Sequence, residues 1–242
     1  MLWGSFGIVH IASLIIAVGI NVGLYFILKG KSQKTQTIVL GVLSFAGIAA
    51  IIFNLVTWGS PLEYLPFHLC SLNALALPFA VFSRNKVINN LLLLWALGAV
   101  FALVVNTAQA EFEIFSATFA FYYFPHVLEV GIPILMFCLG LAKKDAKCII
   151  STVAITLICF TAIHFINLGI NAYTAANNCV DYAGNIISVN YMYSLRPENP
   201  LLDLFYSVIP HQYFYMLLAI PIMVVYLLPI YFKELKSAFK KD

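Results

Sequence analysis

Residues 148–170 read CIISTVAITLICFTAIHFINLGI, a run of 23 residues without Asp, Glu, Lys or Arg. An α-helix rises about 1.5 Å per residue, so a run of this length spans the roughly 30 Å hydrocarbon core of a bilayer. A helix also satisfies its own backbone hydrogen bonds, which lipid requires of any segment that crosses it. The run therefore predicts a transmembrane helix.

Six further segments pass the same test of length and apolar content. We predict an all-α membrane protein, residues 1–242 forming a single transmembrane helical bundle. Its seven transmembrane helices are expected at about 5–28, 38–58, 66–83, 87–106, 118–142, 148–170 and 211–232. The composition agrees, because 62% of the residues are hydrophobic and 10% charged, against roughly 45–50% and about 25% in soluble domains.

The basic residues indicate the orientation of the helices. Twelve of the thirteen lie in the connections after the predicted helices 1, 3 and 5 and in the carboxyl-terminal tail, and only Arg196 lies on the other side. Lysine and arginine concentrate in cytoplasmic connections. We therefore expect the amino terminus outside the cell, the carboxyl terminus in the cytoplasm, and a multi-pass protein of a cell membrane, the bacterial plasma membrane.

The predicted outer connection 171–210 is long for a loop, and loops of this length are usually functional or contain structure of their own. Asn199 and Pro200 resemble an N-cap and a first helical residue. They predict a short helix over LLDLFYSVI, lying at the outer interface. The connection is interpreted either as an anchored loop or as a lid over an external cavity.

Polar side chains gather near the start of the third predicted helix, in LPFHLCSLNALALPF. His68 and Cys70 are two residues apart and point to nearly opposite sides of a regular helix, so they cannot pair with each other. Cys70 and Asn73 share a face. Packing alone is the alternative interpretation of this group.

The fifth predicted helix carries YYFPHVLEVGIP, in which His126 and Glu129 share a face. Glu129 is the only carboxylate inside the seven segments. A charge near the middle of a membrane helix costs roughly 2.5–3.5 kcal/mol on insertion scales. We therefore expect Glu129 to face the bundle interior, either protonated or paired, with His126 as its nearest partner. Intramembrane ionisable residues usually mark a functional site, although a helix-packing hydrogen bond is the alternative.

The sequence lacks the motifs that mark several classes of enzyme and binding protein. It contains no P-loop, dinucleotide fingerprint, HExxH zinc motif or CxxC pair. The basic residues are spread over four juxtamembrane segments, so we expect no nucleic-acid partner. We also expect no cofactor.

The motifs LPFHLCSL, FPHVLEVGIPIL and NYMYSLRPENP together resemble the YwaF family of seven-helix bacterial integral membrane proteins. The family is similar to an animal transmembrane acyltransferase that remodels ether phospholipids, in which a cysteine and a histidine on separate helices act as nucleophile and base. The resemblance implies these roles for Cys70 and His126, with membrane phospholipids as partners.

The chemistry implied is acyl transfer in the outer leaflet. His126 would take the proton of Cys70, with Glu129 orienting the imidazole. Asn73, Asn106 or His68 would donate hydrogen bonds to the oxyanion. Asn190 and Tyr191, in the NYMY motif, complete the expected substrate-binding residues. An acceptor alcohol would make the protein an acyltransferase, and water would make it a lipid-ester hydrolase.

Two other classes of function stay open. His126 and Glu129 suit a small-solute or proton-coupled transporter equally well, and that role does not need Cys70. The third class is a metal-dependent membrane hydrolase, with ligands from His68, Cys70, His126 and Glu129. Because His68 and Cys70 diverge on a regular helix, we rank the metal site last.

Overall fold

The computed structural model describes residues 1–58, 60–105 and 109–238. The described residues are mostly helical, and their only β-bridges are the isolated pairs Leu2–Glu113 and Val180–Ile186. The helices are α1 Ile8–Leu28, α2 Gln33–Ser44, α3 Ala46–Thr57, α4 Leu69–Ser83, α5 Lys86–Val104, α6 Ala117–Cys138, α7 Cys148–Ala176, α8 Pro200–Val208, α9 Ala219–Ile230 and α10 Phe232–Ala238. Short 3₁₀ turns lie at Pro61–Glu63, Tyr191–Tyr193 and Phe214–Leu218.

The chain divides into two compact units. The first consists of Met1–Phe53 and Leu69–Asp145, which hold α1, α2, most of α3, α4, α5 and α6. The second consists of Asn54–His68 and Ala146–Asp242, which hold the end of α3 and α7 to α10. The single transmembrane bundle expected from the sequence stays a prediction.

Three helices of the first unit, α2, α5 and α6, begin at side-chain caps. Ser32, Asn85 and Ser116 each accept a hydrogen bond from the backbone amide three residues later, and each precedes a helix. Such a cap satisfies one of the four amides that lack a partner in a first turn. A buried hydrophobic cluster joins the amino terminus to α1, α5 and α6. Its residues are Trp3, Ala17, Leu103, Phe119, Tyr123 and Val127.

In the second unit, α8 begins as the sequence predicts. Asn199 accepts a hydrogen bond from the amide of Leu202, and Pro200 is the first helical residue. The helix buries Leu202 and Phe205 against Tyr215, which is fully buried. The hydroxyl of Tyr215 donates to the carbonyl of Tyr193, which ties the α8 region to the 3₁₀ turn at Tyr191–Tyr193.

Five of the seven predicted transmembrane segments contain a helix, or in one case a broken helix, long and apolar enough to cross a bilayer. They are Ile8–Leu28, Gln33–Thr57, Lys86–Val104, Ala117–Cys138 and Cys148–Ala176. Large apolar side chains are exposed along them, for example Ile8, Val56, Ile150 and Ile158. Water would penalise such a surface, and lipid would cover it. The chain is therefore a multi-pass membrane protein.

The other two predicted segments contain shorter apolar helices, Leu69–Ser83 and Phe214–Ile230. The helix expected to start at residue 66 begins at Leu69, so His68 lies before it. The helix expected over 211–232 is 3₁₀ up to Leu218 and ends at Ile230. A positive φ of 64° at Tyr213 stops a regular helix from starting at 211. Seven crossings and the orientation of the termini stay predictions.

Three other predicted boundaries are wrong. The second helix starts at Gln33 instead of 38, because Ser32 caps it, and a break at Phe45 divides it. The fifth ends at Cys138 instead of 142, because Gly140 adopts a left-handed φ of 72°. The amides of Gly140 and Leu141 then bond the carbonyls of Phe137 and Met136, as in a Schellman motif. The sixth runs on to Ala176 instead of ending at 170.

Candidate functional site

The candidate site of the first unit lies where α4 and α6 pack together. Cys70 and Asn73 are on α4, and His126 and Glu129 are on α6. Two of the four are almost completely inaccessible to solvent, Asn73 with 0% and Glu129 with 3% of its surface exposed. Burial of this many polar groups is costly unless they bond each other or a ligand.

A proline explains how Asn73 is held. Pro133 has no amide hydrogen, so the carbonyl of Glu129, four residues earlier, has no donor within its own helix. Asn73 Nδ2 donates to that carbonyl across 3.4 Å. This long hydrogen bond links α4 to α6 at the level of Glu129.

The imidazole of His126 is oriented by the backbone. Its Nδ1 lies 2.6 Å from the carbonyl oxygen of Tyr122. A carbonyl can only accept, so Nδ1 carries the proton, and Nε2 of the neutral ring is left as the basic nitrogen. The expected orienting group was Glu129, but no hydrogen bond between Glu129 and His126 occurs among the described residues. The carbonyl of Tyr122 holds the ring instead.

Cys70 is the second residue of α4 and is partly buried. The amides of a first helical turn carry a partial positive charge at this position. Ser71 interacts with the thiol, and Glu129 lies within electrostatic range of it. No hydrogen bond between Cys70 and His126 occurs among the described residues, so a proton transfer between them requires a closer approach than this structure has.

The carboxyl group of Glu129 faces α3 and α4. A Cβ on residue 47 would lie 3.2 Å from Glu129 Oε1 and 2.5 Å from the Cβ of Ala74. Only glycine at position 47 leaves room for this approach. Glu129 Oε2 is buried and accepts no hydrogen bond from any residue that the structure describes.

The second unit contains the remaining predicted site residues that are described. His68 Nδ1 accepts a long hydrogen bond of 3.4 Å from the amide of Met192, and its ring lies 5.3 Å from that of Tyr191, edge to face. Tyr191 donates to the carbonyl of Leu62 and accepts from the amide of Leu65. Burial raises the pKa of Tyr191 to about 12. These contacts tie the turn at Tyr191–Tyr193 to the segment before α4.

Asn190 has its polar atoms engaged inside the same connection. Its Nδ2 donates to the carbonyl of Arg196 and to Glu198 Oε1, both at 2.8 Å, and its Oδ1 accepts from the amide of Leu195. In this structure Asn190 and Tyr191 therefore stabilise the connection, and each would have to give up a hydrogen bond to contact a substrate. Asn106 lies outside the described residues.

A row of polar residues on α7 lies outside the set of predicted site residues, although His164 and Asn167 were expected to form interhelical hydrogen bonds. Asn167 donates to the carbonyl of Tyr191 and to Ser194 Oγ, and accepts from the amide of Tyr191. Asn171 bonds both backbone groups of Val189, and Thr174 donates to the carbonyl of Ile187. His164 Nδ1 lies 3.1 Å from Ser194 Oγ. The spacing of three and four residues places all four on one face, which was a readable signal.

No metal centre forms among the described residues, because no three His, Cys, Asp or Glu side chains gather closely enough to hold an ion. Of the ligand set considered for a metal-dependent hydrolase, Cys70, His126 and Glu129 lie in the first unit, and they do not form such a group. All five cysteines lie among the described residues, and none of them forms a disulfide there.

Comparison with known proteins gives one family and no individual relative. No curated protein and no solved structure matches the chain. The model of the TMEM164 family, a family of transmembrane proteins, matches residues 5–231. The match does not extend to the name YwaF or to the similarity with an acyltransferase, which stay predictions. Because the match covers nearly all of the helical chain described above, the protein belongs to the TMEM164 family.

Proposed function

We propose that this protein is a membrane-embedded acyltransferase or lipid-ester hydrolase that acts on phospholipid acyl chains at the outer leaflet. Cys70 is the nucleophile and His126 the general base. The observation that carries the proposal is the 2.6 Å contact between His126 Nδ1 and the carbonyl of Tyr122. It leaves Nε2 as the basic nitrogen on a helix that packs against the helix of Cys70.

The reaction has two steps. In the first, the Cys70 thiol gives its proton to His126 Nε2, and the sulfur attacks the ester carbonyl of a phospholipid. The carbon–oxygen bond breaks, the leaving alkoxide takes the proton from His126, and a thioester remains on Cys70. In the second, His126 takes the proton of an acceptor hydroxyl, whose oxygen attacks the thioester carbonyl. The carbon–sulfur bond breaks, the acyl group leaves on the acceptor, and His126 returns the proton to the sulfur of Cys70. Water as acceptor releases a free fatty acid.

Oxyanion stabilisation comes from donors near Cys70. The first amides of a helix have no acceptor within the helix, and Cys70 stands in the first turn of α4. These amides are suited to an oxyanion on the carbonyl that Cys70 attacks. Asn73 Nδ2 donates one N–H to the carbonyl of Glu129, and the second N–H is the one that Asn73 can contribute to an oxyanion.

The test is a covalent adduct. Purified protein in liposomes is given phospholipid with a labelled acyl chain, and hydroxylamine-sensitive label on the protein is mapped by mass spectrometry. We expect label on Cys70, none in Cys70→Ala, and strongly reduced label in His126→Ala. Cys138→Ala is the matched control, because Cys138 is an exposed cysteine on α6. Label that persists in Cys70→Ala would overturn the proposal.

A second candidate is a transporter that uses His126 and Glu129, and the observation in its favour is the unpartnered, buried Oε2 of Glu129. The two candidates differ in which variant is inactive. If Cys70→Ala leaves the acyl profile of the membrane lipids unchanged while Glu129→Gln abolishes a solute or proton flux in proteoliposomes, the transporter replaces the enzyme. For both candidate functions, we propose that the protein resides in the bacterial plasma membrane.

A further inference from the structure

The carboxyl group of Glu129 is enclosed by its own unit. Gly47 and Ala74 lie against it, and 3% of the residue is exposed. The site is therefore too closely packed on this side to admit a bulky counter-ion next to Oε1. Any compensation for a negative charge must come from a neighbouring side chain or from a proton.

Two buried side-chain oxygens, one of Asn73 and one of Glu129, lack a hydrogen-bond partner among the described residues. Asn73 uses Nδ2 to reach the carbonyl of Glu129, and its Oδ1 is buried without a hydrogen-bond partner among the described residues. Glu129 Oε2 is in the same condition. An ionised carboxylate can only accept hydrogen bonds, so two unpaired acceptors on linked residues cannot satisfy each other. A protonated carboxyl has a hydrogen to donate, and Asn73 Oδ1 can only accept one.

No described basic group compensates a charge on Glu129. From α4 the titratable neighbour is Cys70, and on α6 it is His126, whose Nδ1 proton is directed at Tyr122. The sequence has no titratable side chain from Thr35 to Phe53 in α2 and α3, or from Val87 to Val104 in α5. On α1, which packs against α6, His10 bonds the amide of Phe6 and the carbonyl of Leu103, and Tyr25 is the other titratable residue.

We propose that Glu129 is a proton-binding site, which holds its proton at neutral pH and donates it to Asn73 Oδ1. The alternative, an unpaired carboxylate in the membrane interior, is costly. Glu129 is thus a neutral neighbour of Cys70 and does not repel a thiolate there. This inference goes beyond the proposed function and holds whether or not Cys70 is acylated.

Infrared spectroscopy of the reconstituted protein tests the assignment at neutral pH. We expect the wild type to show the carbonyl stretch of a protonated carboxyl, and we expect Glu129→Gln to lose it. Asn73→Leu should shift the frequency of this band, because the acceptor is gone. Glu113→Gln, at an exposed glutamate, is the control that leaves the band in place. Loss of a carboxylate band in Glu129→Gln, with no change in the protonated region, would overturn the proposal.

A measurement on the wild type covers the case in which Glu129→Gln does not fold. With glutamate labelled by ¹³C at the side-chain carboxyl, the nuclear magnetic resonance spectrum at neutral pH should contain one signal at the position of a protonated carboxyl. A spectrum that contains only carboxylate signals contradicts the proposal. Neither measurement involves acyl transfer, so the outcome is separate from that of the labelling of Cys70.

Discussion

Asn21 and Gly131 fit together so closely that a side chain at position 131 would clash with the amide of Asn21. A Cβ on residue 131 would lie 1.5 Å from Asn21 Oδ1. Asn21 cannot easily turn away, because its Nδ2 donates both to the carbonyl of Ala17 in α1 and to that of Val127 in α6. The pair sets how closely α1 and α6 approach, in the way that small residues do at helix interfaces in membranes.

Gly131→Ala should therefore destabilise the protein, by about 1–3 kcal/mol, the usual cost of an overpacked interior. The measurement is thermal unfolding in detergent. Gly19→Ala on α1 is the matched control, since a Cβ there meets nothing within 4 Å, and alanine is the better helix former. Asn21→Ala should restore part of the loss in the double variant. Equal stability of the two single glycine variants would contradict the predicted clash.

The orientation of the helices can be tested by labelling with an impermeant maleimide in intact cells. Ala183→Cys should react and Lys31→Cys should not, because the distribution of the basic residues predicts that 31 is cytoplasmic and 183 outside. Ala183 is exposed and its φ is not left-handed, unlike that of Gly184. The background is Cys179→Ser, which removes the native thiol of the same connection. The opposite pattern would reverse the orientation and place Cys70 on the cytoplasmic side.

The hydrogen bonds of Asn167 should hold the connection after α7. Asn167→Ala removes three of them, and it leaves the buried amide and carbonyl of Tyr191 without these partners, at a cost of about 1–3 kcal/mol for each unsatisfied group. We expect faster cleavage between residues 177 and 199 in limited proteolysis. Asn177→Ala is the control, because Asn177 is exposed and bonds only its own helix. If both variants are cleaved at the wild-type rate, the α7 row does not hold the connection.

The sequence predicts the helices best where a local signal is strong. The apolar run that contains α7 and the Asn199–Pro200 start of α8 were both readable, because length in a bilayer and N-cap chemistry are local properties. Gly140 was readable as a helix stop and was missed. The extension of α7 to Ala176 was not readable from apolar content. It includes the polar residues Asn171 and Thr174, whose side chains form hydrogen bonds with the backbone of Val189 and Ile187.

The candidate site was predicted in part. The shared face of His126 and Glu129 followed from their spacing, and the burial of Glu129 followed from the cost of its charge. The partner of His126 did not follow, because the sequence cannot tell whether a ring nitrogen meets a side chain or a carbonyl four residues earlier. The hydrogen bond from Asn73 to the carbonyl of Glu129, which Pro133 leaves without a helical donor, did not follow either. It depends on how α4 packs against α6, which is a property of the folded protein.

The hydrogen bond from Asn73 to the carbonyl of Glu129 can be tested by a double-mutant cycle between Asn73 and Pro133. Asn73→Ala alone should cost about 0.5–1.5 kcal/mol of stability, toward the low end because the bond is 3.4 Å long. Pro133→Ala restores a backbone amide that can reach the carbonyl of Glu129 within α6. In that background the carbonyl has its own donor, so Asn73→Ala should cost less. The coupling free energy, measured by chemical or thermal unfolding of the four proteins in detergent, should therefore differ from zero.

Pro125→Ala is the control for relief of strain, because it restores a donor to the carbonyl of Phe121 and leaves that of Glu129 unchanged. Strictly additive effects of Asn73→Ala and Pro133→Ala would mean that Asn73 is retained for its buried Oδ1, the acceptor assigned to the proton of Glu129, and not for the bond to the carbonyl.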